Sequence, residues 1–275
     1  MTISGQMVPT PEERRKHHRR LLKRLSGAAP NQQPPEIVPL DYARGDLHLY
    51  VTSKVERTSR AFSCRKEPTT VSWLESLVPG DVFYDIGANI GAYSLIAALK
   101  VGPSGRVVAF EPSYATFAHL CDNIVLNDVS DIVVPVPLPL GEHTTLGTLN
   151  YHRLVPGHAR HAIGGDAADA RGDAPVYRQP VLLTRLDDLV SQFALPGARF
   201  IKIDVDGAEA DVLRGAHRTL AHPDLQELMI EVDVQNTNAV MDILTTAGFA
   251  LTDRYERTRE DGTPAPLWYG RFTRL

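Results

Sequence analysis

The chain of 275 residues holds only two cysteines, Cys64 and Cys121, and they stand in no metal-ligand spacing. That argues against a disulfide framework or a cysteine-held metal centre, and it suits a reducing, cytoplasmic setting. Cys121 falls in an apolar helical stretch, where a small core residue is sufficient. No apolar run approaches the roughly 20 residues needed to cross a bilayer. The polar start carries no signal-peptide pattern, so a cytoplasmic protein without a transmembrane segment is expected. Neither an internal repeat nor a low-complexity tract occurs. Also missing is Gly-x-Gly-x-x-Gly, the dinucleotide fingerprint, and its absence counts against the main alternative, a nicotinamide-dependent oxidoreductase on a Rossmann-like sheet.

Charge of one sign is scarce except in one place. The formal net charge is −4, yet Glu12–Leu25 carries seven Lys/Arg against two acids, leaving 22 basic and 31 acidic side chains elsewhere. A remainder so acidic is ill-suited to wrapping a polyanion. Aromatics make up 7% and none interleave with the basic cluster, so no nucleic-acid partner is expected. The cluster reads as a solvated tail, with Leu21, Leu22 and Leu25 offering an apolar stripe for a second subunit and hence a homo-oligomer.

What is present is a strand–turn–helix with an acid at its hinge. Val82–Ile86 is a short apolar run ending at Asp85-Ile86, Gly87 and Gly91 bracket a sharp turn, and an apolar helix follows from Tyr93. Glycine there lets the backbone turn tightly and approach a ligand. A second apolar strand, Arg106–Phe110, delivers Glu111 to the same sheet edge about twenty residues on, where an acid can accept both hydroxyls of a ribose. An acid before the first glycine repels phosphate but suits an ammonium, which fits S-adenosylmethionine better than a dinucleotide. In this reading Asp85 and Asn89 hold the methionine end, Gly87 and Gly91 admit the ligand, and Glu111-Pro112 takes the ribose. Ser113 and the stretch around Leu138 and Pro139 are expected where adenine rests, and in the methyl-donor folds that this arrangement resembles the helix after Glu67, which includes Thr70, covers the cofactor. Helix capping explains Glu67 and Thr70 equally well.

The chain resembles the FkbM-type family of class I S-adenosylmethionine-dependent methyltransferases. Three blocks carry the likeness: Asp85-Ile-Gly-Ala-Asn-Ile-Gly91, Val108-Ala-Phe-Glu-Pro112, and Ile201-Lys-Ile-Asp-Val-Asp-Gly-Ala-Glu209 with Val212-Leu-Arg-Gly215. Thr184–Leu189 and Met229–Glu231 match more weakly. The family more often has Glu where Asp206 stands, and Ala-Leu-Gly-Asp where this chain has Pro139-Leu-Gly-Glu142. The resemblance implies an O-methyltransferase acting on a hydroxyl of a sugar, glycolipid or polyketide-type natural product.

Organisation along the chain agrees. Residues 1–40 read as a basic extension ending in a Pro-rich linker, and 41–275 as one α/β domain. Strands are expected at 82–86, 106–111, 132–137, 199–204, 227–234, 249–255 and 267–274, and helices at 71–77, 92–100, 114–127, 208–220 and 237–247. This is a doubly wound, Rossmann-like, seven-stranded sheet whose last strand runs antiparallel. An insertion near 141–183 carries two strand-like segments around a Gly/Ala/Asp/His-rich loop, a hairpin with a lid.

Methyl transfer to a hydroxyl needs alignment and a destination for the proton. Asp204, Asp206 and Glu209 follow the fourth core strand and are the carboxylate candidates; a structural account makes Asp206 a cap and Glu209 a first-turn acid. His158 and His161 in the insertion are alternative bases. A divalent cation such as Mg²⁺ is the less favoured option, because only Glu231 or Asp233 could complete its shell. A non-catalytic cofactor-binding scaffold is the remaining alternative.

Overall fold

Short runs of branched and aromatic residues between helical stretches build the core of this computed structural model. It describes residues 35–151, 155–157, 162–163, 175, 177–258 and 263–275, with Glu12, Arg15 and Lys16. Its strands are β1 (Glu36–Pro39), β2 (His48–Val51), β3 (Val82–Ile86), β4 (Arg106–Phe110), β5 (Val133–Val136), β6 (Thr145–Tyr151), β7 (Ala162–Ile163), β8 (Tyr177–Leu183), β9 (Phe200–Ile203), β10 (Glu227–Asp233), β11 (Phe249–Thr258) and β12 (Pro264–Arg274). Seven of them form one sheet in the order β11-β12-β10-β9-β3-β4-β5, and β12 runs antiparallel to both its neighbours. The expected sheet and its reversed last strand are both there. The order turns at β3 and β9, and a crevice beyond the carboxyl ends of such strands is the usual ligand position.

Both faces of the sheet are covered, which is why its parallel strands are apolar throughout. Phe83, Val107, Ala109, Phe200 and Met229 pack under helices Pro68–Leu74, Ala92–Val101 and Tyr114–Leu126. Tyr84, Ile86, Val108, Ile201, Ile230 and Trp268 face helices Leu186–Gln192, Glu209–Arg214 and Thr237–Thr246. The last of these helices stops at Gly248, whose φ of +84° favours glycine.

Three local differences from expectation have physical causes. The stretch expected as one helix over 208–220 is two, Glu209–Arg214 and His217–Ala221. Gly215 passes so close to the start of the insertion that a Cβ on it would lie 2.0 Å from the Gly141 carbonyl oxygen. Asp187 caps the second piece, accepting from the backbone N–H groups of Arg218 and Thr219. The second difference is β1, inside the expected linker: it pairs antiparallel with β2 from Glu36 opposite Val51 to Pro39 opposite His48. The third is the insertion, where β7 joins the expected β6–β8 hairpin to make a three-stranded sheet. Among the described residues no helix is long and apolar enough to cross a membrane.

Candidate active site

The turn after β3 is shaped by its neighbours. Gly87 and Ala88 donate their N–H groups to the Phe110 carbonyl at 3.0 and 2.9 Å, locking the turn to the end of β4. Gly87 has φ +86°, and a Cβ there would stand 1.9 Å from the Asp204 carbonyl oxygen. Only glycine lets this turn pass the end of β9. Beyond β4, Glu111 accepts the N–H of Asn89 through Oε2 (3.0 Å) and that of Ser113 through Oε1 (2.8 Å). Burial pushes its carboxyl up to about 7, although both N–H groups favour the charged form.

Glu111 lines a cavity with Gly87, Asn89 and Pro112. Ile86, Phe110, Leu138, Pro139, Leu140 and Leu149 supply its apolar walls, and Asp204 and Asp206 its far acidic rim. Gly91 and Ser113 lie behind this lining, Gly91 preceding the helix Ala92–Val101 and Ser113 orienting Glu111. Arg60 also lines the cavity, a residue the motifs do not point to. Its Nε donates to the Gly157 carbonyl at 2.8 Å, and Ser53 Oγ donates to the Pro156 carbonyl at 3.0 Å, so the insertion is stitched to the chain before the sheet. Gln179 of β8 accepts from the Tyr151 hydroxyl at 2.6 Å and helps close the same side.

Asp85, expected at the methionine end, is not among the residues that line this cavity. As a strand residue it follows the two-residue alternation, pointing with Phe83 to the helix-covered face. There its Oδ2 accepts from Ser94 Oγ at 2.6 Å, its Oδ1 has no partner, and burial raises its pKa against the pull of Lys202. Lys202 stands opposite Asp85 in the β3–β9 register. Its ammonium, 2% exposed, donates to Asp204 Oδ2 at 2.9 Å. Burial alone would lower the lysine pKa; Asp204, Asp85 and Glu67 raise it instead. Glu67 and Thr70 are buried outside the cavity lining, and each leaves one oxygen without a partner.

The carboxylate candidates separate by environment. Asp204 is half-buried, and Lys202 holds its carboxyl below the ordinary range despite the opposing effect of burial. Asp206 is exposed at φ +52° beside Gly207. Glu209 is buried and accepts the Gly207 N–H and the Asn236 side chain, each at 2.7 Å, so it ties the loop to the helix after β10. His158 and His161 lie outside the described residues. Of the cation-shell candidates, Asp233 accepts the N–H of Gln235 and caps a short turn. Glu231 belongs to a trio with Glu67 and Asp204, and the Lys202 ammonium already supplies that trio with a counter-charge. Lys202 and Tyr269 escaped the motif reading. A lysine between isoleucines in a buried strand is itself the missed signal, because it must find carboxylates.

Methyltransferase sdnD of Sordaria araneosa is 28% identical over 204 residues, covering 66% of this chain and 75% of that protein. The hexuronic acid methyltransferase AglP of Haloferax volcanii is 26% identical, covering 62% and 65%. The 31-O-demethyl-FK506 methyltransferase FkbM of Streptomyces tacrolimicus is 27% identical, covering 64% and 75%. The methyltransferase FkbM domain matches residues 85–251, which begin at the acid of the β3 turn and run through Glu111, Lys202 and Glu231. The glycine turn and the carboxylate beyond β4 thus sit within one matched stretch that spans more than half of the chain, and the chain belongs to the FkbM methyltransferase family.

Proposed function

We propose that this chain transfers a methyl group from S-adenosylmethionine to a hydroxyl of a small molecule. The carrying observation is the charge of the cavity: among the described residues, Glu111, Asp204 and Asp206 line it against one cation, Arg60. Such a lining repels a pyrophosphate and favours a nucleoside carrying positive charge. The residues fit that ligand. A carboxylate offers about four lone-pair sites, and Glu111 uses one on each oxygen for Asn89 and Ser113. Ribose hydroxyls have acceptors left to them. Ile86, Phe110, Leu138 and Leu140 offer an apolar slot for a purine. Asp204 and Asp206, across the Gly87 turn, place negative charge at the cationic end.

The bound donor supplies a methyl group already activated by a positive sulfur. The protein's own task is to hold the acceptor in line, keep water out and receive a proton. β6 covers the cavity through Leu149 and serves the second purpose. For the acceptor, the names of two relatives speak of hexuronic acid and of 31-O-demethyl-FK506, each said of that relative alone. They support a hydroxyl-bearing small molecule here.

Calorimetry with S-adenosylmethionine, S-adenosylhomocysteine and NAD⁺ tests the reading. Binding of the first two, lost in Glu111→Ala, is expected. Binding of NAD⁺ alone would transfer the protein to the oxidoreductases, and binding of none would overturn the reading.

A further inference from the structure

Beyond the cavity, the carboxyl edge of the sheet carries ionisable side chains that cofactor binding does not use. Met229 pairs with Lys202 and Ile230 with Ile203, so the next step of the parallel register sets Glu231 beside Asp204. Across the antiparallel neighbour, Glu231 pairs with Tyr269. One carboxylate oxygen from each of Glu67, Asp204 and Glu231 lies within 4.8 Å of the others. Asp204 belongs both to this trio and to the cavity wall, and β3 separates it from β4 and Glu111. A ligand anchored at Glu111 and crossing Gly87 therefore presents its far end to the trio.

The three acids are not equivalent. Asp204 is paired with Lys202 and stays ionised, which makes it a weak base. Glu67, 5% exposed, meets Lys66 through Oε1 at 3.1 Å and leaves Oε2 buried without a hydrogen-bond partner, an acceptor waiting for a donor. Glu231 accepts from the Tyr269 hydroxyl through Oε2, and Arg257 stands 3.9 Å from the same oxygen. Burial first, then the charge of Asp204, pushes the Glu231 carboxyl up to about 8. The groups around it are Lys202 from β9, Asp204 and Asp206 from the loop that follows, Glu67 ahead of helix Pro68–Leu74, Tyr93 from helix Ala92–Val101, Arg257 from β11 and Tyr269 from β12.

We propose that Glu231 is the base that takes the acceptor's hydroxyl proton, with Tyr269 positioning it and Glu67 Oε2 receiving a second donor of the acceptor. This rests on the S-adenosylmethionine reading above. The acceptor oxygen bonds to the methyl carbon as the carbon–sulfur bond breaks; sulfur keeps that electron pair, and the hydroxyl proton passes to Glu231 and then to water. A base titrating near working pH is the efficient one for such a step.

S-adenosylmethionine and S-adenosylhomocysteine test it on the intact chain, because they share ribose and adenine and differ in the charge on sulfur. Calorimetry from about pH 6 to about pH 9.5 should show their affinity ratio rising about fivefold as Glu231 ionises beside the sulfonium. In Glu231→Gln the ratio should stay flat while the homocysteine ligand binds as in the wild type, which also reports an intact fold. In Tyr269→Phe the midpoint should move upward, since a donor that stabilises the carboxylate is gone. A wild-type ratio without pH dependence, an unchanged dependence in Glu231→Gln, or a dependence that appears only with added Mg²⁺ would overturn the assignment. Failure of both ligands to bind would instead remove the S-adenosylmethionine reading beneath it.

Discussion

Asp85 and Glu111 stand near the carboxyl ends of neighbouring strands, both deeply buried and both with raised pKa values, yet they answer their charge in opposite ways. Glu111 sits one residue past β4, free of strand alternation, and turns to a cavity with only two backbone N–H groups on it. Asp85 is inside β3, so the pleat sends it into the core, where Ser94 and Lys202 balance it. An acid at a sheet edge thus faces a cavity or serves as an internal counter-ion according to whether the strand has already ended.

The comparison can be broken at Lys202 first. Lys202→Met should destabilise by about 3–5 kcal/mol, because removing one partner leaves buried charge uncompensated; urea unfolding measures it, and an unaffected midpoint would mean the acids are not balanced from within. Next, Glu111→Ala should weaken S-adenosylmethionine by on the order of 100-fold in a chain that still folds, as expected when hydrogen bonds to a charged group are lost. Asp85→Ala should do the reverse, lowering the melting temperature more than the affinity. If Asp85→Ala abolishes binding in a fully stable protein, the two acids share a role after all.

Ligand-free stability should also follow Glu111. Its folded pKa of about 7 exceeds the ordinary 4.5, so its contribution is full below that ordinary value and fades as pH rises through about 7. The loss is about 3 kcal/mol at most. Hydroxyls of a bound ribose favour the carboxylate, so stabilisation by S-adenosylmethionine should grow over the same window in paired melts. Glu56 gives the opposite sign on a smaller scale. Burial raises its pKa, but the contact from His119 and the N–H groups of Thr52 and Ser53 outweigh it, and the net value is lowered. That stability is present above its unfolded pKa and lost as pH falls through the folded one; Glu56→Gln should cost about 1–3 kcal/mol near neutrality and less in acid. Asp206→Asn, exposed at the rim, should change affinity by only about two- to threefold.

Much of the cavity lining was legible because its signals are local. A strand, two glycines and an acid twenty residues on are contiguous motifs, and six of the residues they name line one cavity. The face of Asp85 was not, because β3 is apolar on both sides and its alternation leaves no polar stripe to read. Lys202, Glu231 and Tyr269 come together only through pairing of β9, β10 and β12, contacts that no local window contains. Arg60 reaches the cavity from a segment before the sheet, held by a carbonyl nearly a hundred positions later. Gly215 interrupting a helix required knowledge of what lay against it.

The seam where Ser53 and Arg60 meet Pro156 and Gly157 has a kinetic meaning. If a nucleoside enters between these two segments, its residence time is governed by how often two hydrogen bonds release together, not by how tightly Glu111 holds. Tethering the seam would then slow entry and escape alike while leaving equilibrium affinity nearly untouched.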